Sequence, residues 1–83
     1  MDVITLSELF IEWIINEKPT ALFTRYKLDE ALQSQHPRIV LEAIASARGF
    51  KLKGDSLDLE RAAITLLDEF RAGRLGRISL ERP

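Results

Sequence analysis

The sequence predicts a small all-α domain: a helical bundle of three main helices with one or two short helices and an extended C-terminal tail. Apolar residues recur at three- and four-residue spacing in three segments, a pattern typical of helices that bury one face. Helix start signals precede these segments, and proline or glycine follows them. The 83 residues are enough for one domain, so we treat residues 1–83 as a single unit.

The first main helix is predicted over residues 6–16. Thr5–Glu8 matches a capping box, in which a threonine hydroxyl and a glutamate carboxylate bind free backbone N–H groups at a helix start. Ile11 and Ile15 widen an apolar face whose other expected members share the helical spacing. Those members are Leu6, Leu9, Phe10, Trp13 and Ile14.

A short second helix is predicted over residues 19–26. Pro19 ends the first helix and suits the first position of the next one, where its missing N–H needs no partner. The expected inward-facing residues are Ala21, Leu22 and Tyr26. Beyond this helix, Asp29 is predicted to cap a single turn through Leu32.

The third helix is predicted over residues 37–48, between the start signal His36-Pro37 and a left-handed cap at Gly49. Its expected apolar side contains Val40, Leu41, Ala43, Ile44 and Ala47. Phe50 and Leu52 then flank Lys51 in a short extended segment.

The last helix carries the clearest pattern in the chain. Asp58 is a suitable N-cap and Gly73 is predicted to end the helix, while Ile64 lies off the apolar stripe. The stripe itself contains Leu59, Ala62, Ala63, Leu66, Leu67 and Phe70.

The tail after Gly73 alternates apolar and polar residues, which predicts an extended and partly packed segment. Its apolar members are Leu75, Ile78 and Leu80. We expect their contacts with the bundle to hold Arg71, Arg74 and Arg77 in fixed positions.

No residue pattern indicates catalysis or metal binding. The absence of cysteine excludes disulfides and thiolate metal sites, and His36 is interpreted as the polar residue before Pro37 rather than as a catalytic base. The two glycines of Gly73–Gly76 follow a helix, whereas phosphate-binding loops precede one. We therefore expect no enzymatic activity, metal or cofactor in this chain.

The chain carries no membrane-targeting pattern. Its longest apolar runs, such as Leu9–Ile11, are far shorter than a membrane span, and the N-terminus lacks the features of a signal peptide. We therefore expect no membrane partner and a cytoplasmic location.

The functional candidates are two basic segments in a chain with a net charge of −1. Residues 37–54 and residues 71–83 each contain four bases and one acid, a charge of +3. The candidates for phosphate contact in these segments are Arg48, Lys51, Lys53, Arg71, Arg74 and Arg77. The alternative is that they are solvated and offset helix dipoles. If the third and fourth helices are antiparallel, the two groups lie at opposite ends; an extended 50–54 segment and tail could bring them together.

The aromatic residues are interpreted mainly as core residues rather than as platforms for base stacking. The pattern does not fix the positions of Phe23 and Tyr26, and Tyr26 is flanked by Arg25 and Lys27. The favoured interpretation is a half-buried ring with its hydroxyl in water, and the alternative is contact with nucleic acid.

Four short motifs, Tyr26–Leu28, Arg48–Gly49, Asp58–Leu59 and the FRAGRLGR run Phe70–Arg77, carry a family resemblance. Together they closely resemble the C-terminal domain of bacterial ribosome biogenesis GTPase A, a family of circularly permuted GTPases. The resemblance covers nearly the whole chain; it is firmest over residues 43–83 and weakest over residues 1–17.

The resemblance implies a helical RNA-binding module that contacts large-subunit ribosomal RNA during ribosome maturation. Matching motif positions add Lys27 to the candidates and support Arg48, Arg71, Arg74 and Arg77. Lys51 and Lys53 fall in a more variable segment. The implied partners are ribosomal RNA, the parent protein's GTPase domain and ribosomal proteins.

The guanine-nucleotide motifs of this family are missing from the chain. GTP and magnesium would therefore bind in the parent's GTPase domain. We expect the chain to be a domain excised from a larger GTPase, with a free-standing relative as the alternative. The rival function is a protein-docking domain that positions the GTPase domain or a ribosomal protein.

Overall fold

The computed structural model describes residues 2–73, and within them the chain folds into four α-helices joined by short connections. The helices are α1 (Val3–Glu17), α2 (Pro19–Tyr26), α3 (Pro37–Arg48) and α4 (Leu59–Arg71), with 3-10 turns at Glu30–Ser34 and Lys53–Asp55. The three long helices α1, α3 and α4 pack against one another, and the shorter α2 packs on α1 and α3. This arrangement confirms the predicted all-α bundle. The predicted extended tail lies outside the described residues.

The hydrophobic core lies where the helices meet. Every helix contributes side chains that are almost fully removed from water, which is the main source of stability in a domain of this size. The core residues are Ile11, Ile14, Leu22, Phe23, Tyr26, Val40, Leu41, Ile44, Ala45, Ala62, Ala63 and Leu66.

Helix α1 begins three residues earlier than the capping box predicted. Asp2 is its N-cap: its Oδ1 accepts a 2.7 Å hydrogen bond from the backbone N–H of Thr5. That bond also lowers the pKa of Asp2. The prediction that Thr5 caps the helix is wrong because Asp2 is an equally suitable cap and adds a turn in which Val3 and Ile4 pack against the core.

The buried face of α1 is rotated from the predicted one. Ser7, Ile11 and Ile14 are fully buried, whereas Leu6 and Leu9 are 48% and 49% exposed. The prediction for the two leucines is wrong because α1 packs against three other helices, and their positions select which part of a broad apolar surface is covered. The buried Ser7 hydroxyl has a hydrogen-bond partner within its own helix, because it donates to the Ile4 carbonyl at 2.7 Å.

Helices α2 and α3 have the predicted bounds. The Nδ1 of His36 accepts from the backbone N–H of Arg38 at 2.9 Å, which confirms a capping role. Gly49 ends α3 with φ 71°, the left-handed conformation that glycine adopts at little cost. The buried faces differ from the prediction at two places. Phe23 of α2 is buried in the core, and on α3 the buried alanine is Ala45, whereas the predicted Ala47 is exposed.

A short hairpin, residues 50–58, connects α3 to α4. Lys51 forms an antiparallel bridge with Leu57, and the Asp58 N–H donates to the Phe50 carbonyl at 2.8 Å. The Arg61 guanidinium lies 4.4 Å from the centroid of the Phe50 ring. These contacts fix the hairpin against the amino end of α4.

Helix α4 follows its predicted pattern closely. Asp58 is its N-cap, accepting from the Arg61 N–H at 3.1 Å, and Ile64 is 47% exposed as its position off the stripe predicted. The Phe70 ring lies 4.7 Å from the Phe10 ring and 6.5 Å from Trp13, measured between centroids. This aromatic cluster joins the carboxyl end of α4 to α1.

Candidate nucleic-acid interface

The last turns of α2, α3 and α4 are joined by one carboxylate, Glu69. Arg25 donates to its two oxygens from Nε at 3.3 Å and from Nη2 at 3.2 Å. Arg48 donates to the same oxygens from Nη2, at 3.3 and 3.1 Å. Because Arg25 and Arg48 are in the last turns of α2 and α3, Glu69 of α4 links the carboxyl ends of three helices.

Tyr26 completes this group, which we call the Glu69 cluster (Arg25, Tyr26, Arg48 and Glu69). The Tyr26 hydroxyl donates to Glu69 Oε1 at 2.6 Å, and the residue is only 3% exposed. The Arg48 guanidinium lies over that ring, 4.8 Å from its centroid. The sequence-based prediction of a half-buried ring with its hydroxyl in water is wrong, because packing of α4 brings a carboxylate to the hydroxyl.

The cluster shifts the pKa values of its acidic members in opposite directions. Partial burial raises the pKa of Glu69, but hydrogen bonds from Arg25 and Tyr26 and the charges of the two arginines outweigh that effect and lower it overall. Burial, followed by the bond to the Glu69 carboxylate, raises the pKa of Tyr26 far above its ordinary value. At neutral pH the cluster therefore contains an ionised Glu69 and a neutral Tyr26.

The arginines keep hydrogen-bonding capacity after binding Glu69. A guanidinium has five N–H donors; Arg25 uses Nε and Nη2, whereas Arg48 uses Nη2 alone. Each of the two side chains remains 33% exposed. Two positive charges against one carboxylate leave the cluster with a formal charge of +1.

Of the sequence-predicted basic residues that the structure describes, Arg48 is the one that binds Glu69. Lys27 and Arg48 lie at the cluster. Arg71 is exposed in the same turn as Glu69, but residues two apart on a helix point to different sides. Lys51 and Lys53 are exposed on the hairpin that follows α3, and within residues 2–73 neither is bonded to Glu69. Arg74 and Arg77 lie outside the described residues.

Arg25 is the functional candidate that sequence reasoning missed. It contributes two of the hydrogen bonds to Glu69, and the pKa of Arg25 is raised mainly by that contact. The only local signal was its position beside Tyr26, at the end of a short helix. Nothing in the local pattern indicates a partner 44 positions away.

A shallow groove lies between α1 and the start of α3. It has a volume of about 270 Å³ and is lined by Thr5, Glu8, Leu9, Glu12, His36 and Pro37. Glu8 is already ion-paired with Arg38. Within residues 2–73, histidine, aspartate and glutamate side chains form no group of three or more that could hold a metal ion.

No protein-family model, curated protein or solved structure matches this chain. The resemblance to ribosome biogenesis GTPase A therefore rests on the four motifs quoted above. In the part of the chain that the structure describes, no helix is both long and apolar enough to span a membrane.

The environment of Tyr26 predicts an abnormal titration that is simple to measure, because Tyr26 is the only tyrosine. In the folded protein we expect its ultraviolet tyrosinate signal to develop well above pH 10, the ordinary range, and to return to that range in denaturant. Because folding raises this pKa, the neutral hydroxyl contributes stability below pH 10 that is lost as the pH rises further. An ordinary titration midpoint in the folded protein would contradict the contact with Glu69.

Proposed function

We propose that this chain is a helical RNA-binding module of a cytoplasmic ribosome-assembly GTPase, and that it contacts large-subunit ribosomal RNA during maturation. The observation that carries the RNA contact is the pair of guanidiniums, Arg25 and Arg48, which share the carboxylate of Glu69; the exposed Lys27 follows Tyr26 directly in the chain. Paired guanidinium donors suit phosphate oxygens. The link to a ribosome-assembly GTPase rests on the sequence resemblance.

Phosphate contact is favoured over base stacking because the aromatic side chains are engaged elsewhere. The chain has six aromatic residues. Phe23 and Tyr26 are buried, Phe50 lies beneath Arg61, and the other three pack on one another. Binding through the RNA backbone should be strongly salt-dependent.

In this proposal the module supplies binding rather than catalysis. GTP and magnesium would bind in the GTPase domain of the parent protein, which is also the module's neighbouring partner. Part of the positive charge of Arg25 and Arg48 also offsets the negative carboxyl ends of α2 and α3, since both arginines lie in last turns. The stabilising and RNA-binding roles can be separated by measuring stability and affinity on the same variants.

We expect Lys27→Glu to weaken binding of a large-subunit ribosomal RNA fragment by about tenfold. The salt slope, which is the slope of the logarithm of the binding constant against the logarithm of the salt concentration, should fall in magnitude by about one. The experiment titrates the wild type with a panel of such fragments at two salt concentrations, then tests variants on the fragment bound most tightly. Lys53→Glu is the matched control, because it makes the same charge change at an exposed lysine on the hairpin.

The comparison between the two lysines decides the location of the contact. Equal weakening by both reversals would indicate diffuse attraction and contradict a site at the Glu69 cluster. Wild-type binding without salt dependence would contradict phosphate contact altogether. A separate experiment replaces Arg74 and Arg77 together by glutamate, and tests the tail positions that the sequence predicted.

A protein-docking function is the second candidate, and the exposed leucines of α1 favour it. Leu6 and Leu9 are each about half exposed, three residues apart and thus on the same side of the helix. Leu6→Ser with Leu9→Ser should then reduce co-sedimentation with large-subunit precursor particles but leave binding to free RNA fragments unchanged. Ile64→Ser is the control, since Ile64 is similarly exposed on α4. Unchanged co-sedimentation of the double leucine variant would remove the basis for this candidate.

A further inference from the structure

Charge complementarity to RNA does not explain why a carboxylate, Glu69, lies at the centre of the cluster. A carboxylate next to phosphate-contacting arginines repels the RNA backbone, so on charge alone it weakens binding. Yet the Glu69 side chain is only 12% exposed, and it receives hydrogen bonds from three residues on two other helices. Its position indicates a structural task at the binding surface.

We infer that Glu69 is a positioning residue for RNA binding: it fixes the guanidiniums of Arg25 and Arg48 side by side and so pre-orders them for phosphate oxygens. This inference rests on the proposed function. The two arginines reach the same carboxylate from different helices, so neither could adopt this arrangement through local structure alone. Arginine loses considerable rotamer freedom when it is fixed, and doing so before binding removes that cost from the association.

Tyr26 helps to hold the same arrangement through contacts with both Glu69 and Arg48. Its hydroxyl holds Glu69 Oε1 at 2.6 Å, and its ring lies under the Arg48 guanidinium. The carboxylate is thus held by one buried donor and in turn holds the two exposed cations. Loss of Glu69 would release Arg25 and Arg48 together while making the chain more positive.

The decisive experiment separates two effects of removing the Glu69 charge: release of the arginines should weaken RNA binding, whereas the more positive net charge should strengthen it. Glu69→Gln and Glu8→Gln each change the net charge from −1 to 0, and each releases arginine from an ion pair. Attraction to RNA alone predicts equal or tighter binding for both variants. Positioning predicts that Glu69→Gln binds about fivefold more weakly than Glu8→Gln, with a salt slope reduced by about 0.7–1.4 for one or two lost phosphate contacts.

A second pair of variants tests the inference without changing charge. Arg48→Lys keeps the positive charge but loses the planar guanidinium, which lies over the Tyr26 ring and has further N–H donors free for phosphate, whereas Arg71→Lys makes the same change in the same region outside the cluster. We expect weaker RNA binding for Arg48→Lys and binding within about twofold of the wild type for Arg71→Lys. Circular dichroism and Trp13 fluorescence verify that every variant is folded at the assay temperature.

The outcomes separate this inference from the function on which it rests. Salt-dependent binding by the wild type, with Glu69→Gln and Arg48→Lys as tight as their controls, would overturn the positioning role and leave RNA binding intact. Absence of RNA binding by the wild type would overturn both. Weaker RNA binding by Glu69→Gln and Arg48→Lys, with no weakening by the controls Glu8→Gln and Arg71→Lys, would support the inference.

Discussion

Replacement of Leu66 by alanine is expected to lower the free energy of unfolding by about 3 kcal/mol. Leu66 is fully buried on α4, the helix that packs against both α1 and α3. Its truncation removes apolar contacts in the core and leaves a cavity there. A domain of this size has a thin stability margin. Chemical denaturation followed by Trp13 fluorescence gives the change directly, because Trp13 is the only tryptophan.

Ile64→Ala is the control for this prediction. Ile64 lies two residues from Leu66 on the same helix but is 47% exposed, and the substitution removes the same number of carbon atoms. We expect a loss within about 0.5–1 kcal/mol, mostly from the lost partial burial. Equal losses at the two positions would mean that α4 does not present Leu66 to the core.

Replacement of Glu69 by glutamine is expected to cost about 2 kcal/mol at neutral pH, because several charge-assisted hydrogen bonds are lost at one partly buried site. Glu8→Gln is again the control: its ion pair with Arg38, whose side chain is 47% exposed, should contribute much less, because solvent screens it. Chemical denaturation of both variants measures the difference. Equal losses would show that Glu69 acts as an ordinary surface ion pair.

Acid should remove the advantage of the wild type over Glu69→Gln. Folding lowers the pKa of Glu69, so the ionised carboxylate stabilises the folded state above its unfolded pKa, which is about 4.3 for glutamate. That contribution is lost as the pH falls through the lower folded value. The difference in unfolding free energy should therefore be largest near neutrality and shrink as the pH falls below about 4. A difference that is constant from neutral to strongly acidic pH would contradict the role of the ionised carboxylate.

Local signals in the sequence were sufficient for most of the helix boundaries. Pro19, Pro37, Gly49 and Asp58 each act on backbone groups within about one helical turn, so their effects can be read from neighbouring residues alone. The same local reading failed at α1, where Asp2 and Thr5 are both suitable caps. Choosing between them required the packing of Val3 and Ile4, which is not a local property.

Periodicity predicted burial well only where the apolar stripe is narrow. On α4 it separated Leu66 from Ile64 correctly. On α1 the apolar residues surround much of the helix, so the sequence allowed several faces and gave no reason to choose Ser7 over Leu6 or Leu9. The neighbouring helices made that choice.

The sequence by itself determined an all-α chain, the bounds of α2 and α3, the cap of α4 and the presence of excess positive charge in two segments. Only the tertiary structure decided which charges meet. Glu69 lies 44, 43 and 21 positions from Arg25, Tyr26 and Arg48, so no local pattern could pair them. The physical reason is that capping and helical periodicity act over a few residues, whereas a shared carboxylate requires side chains from three separately formed helices to meet at one point.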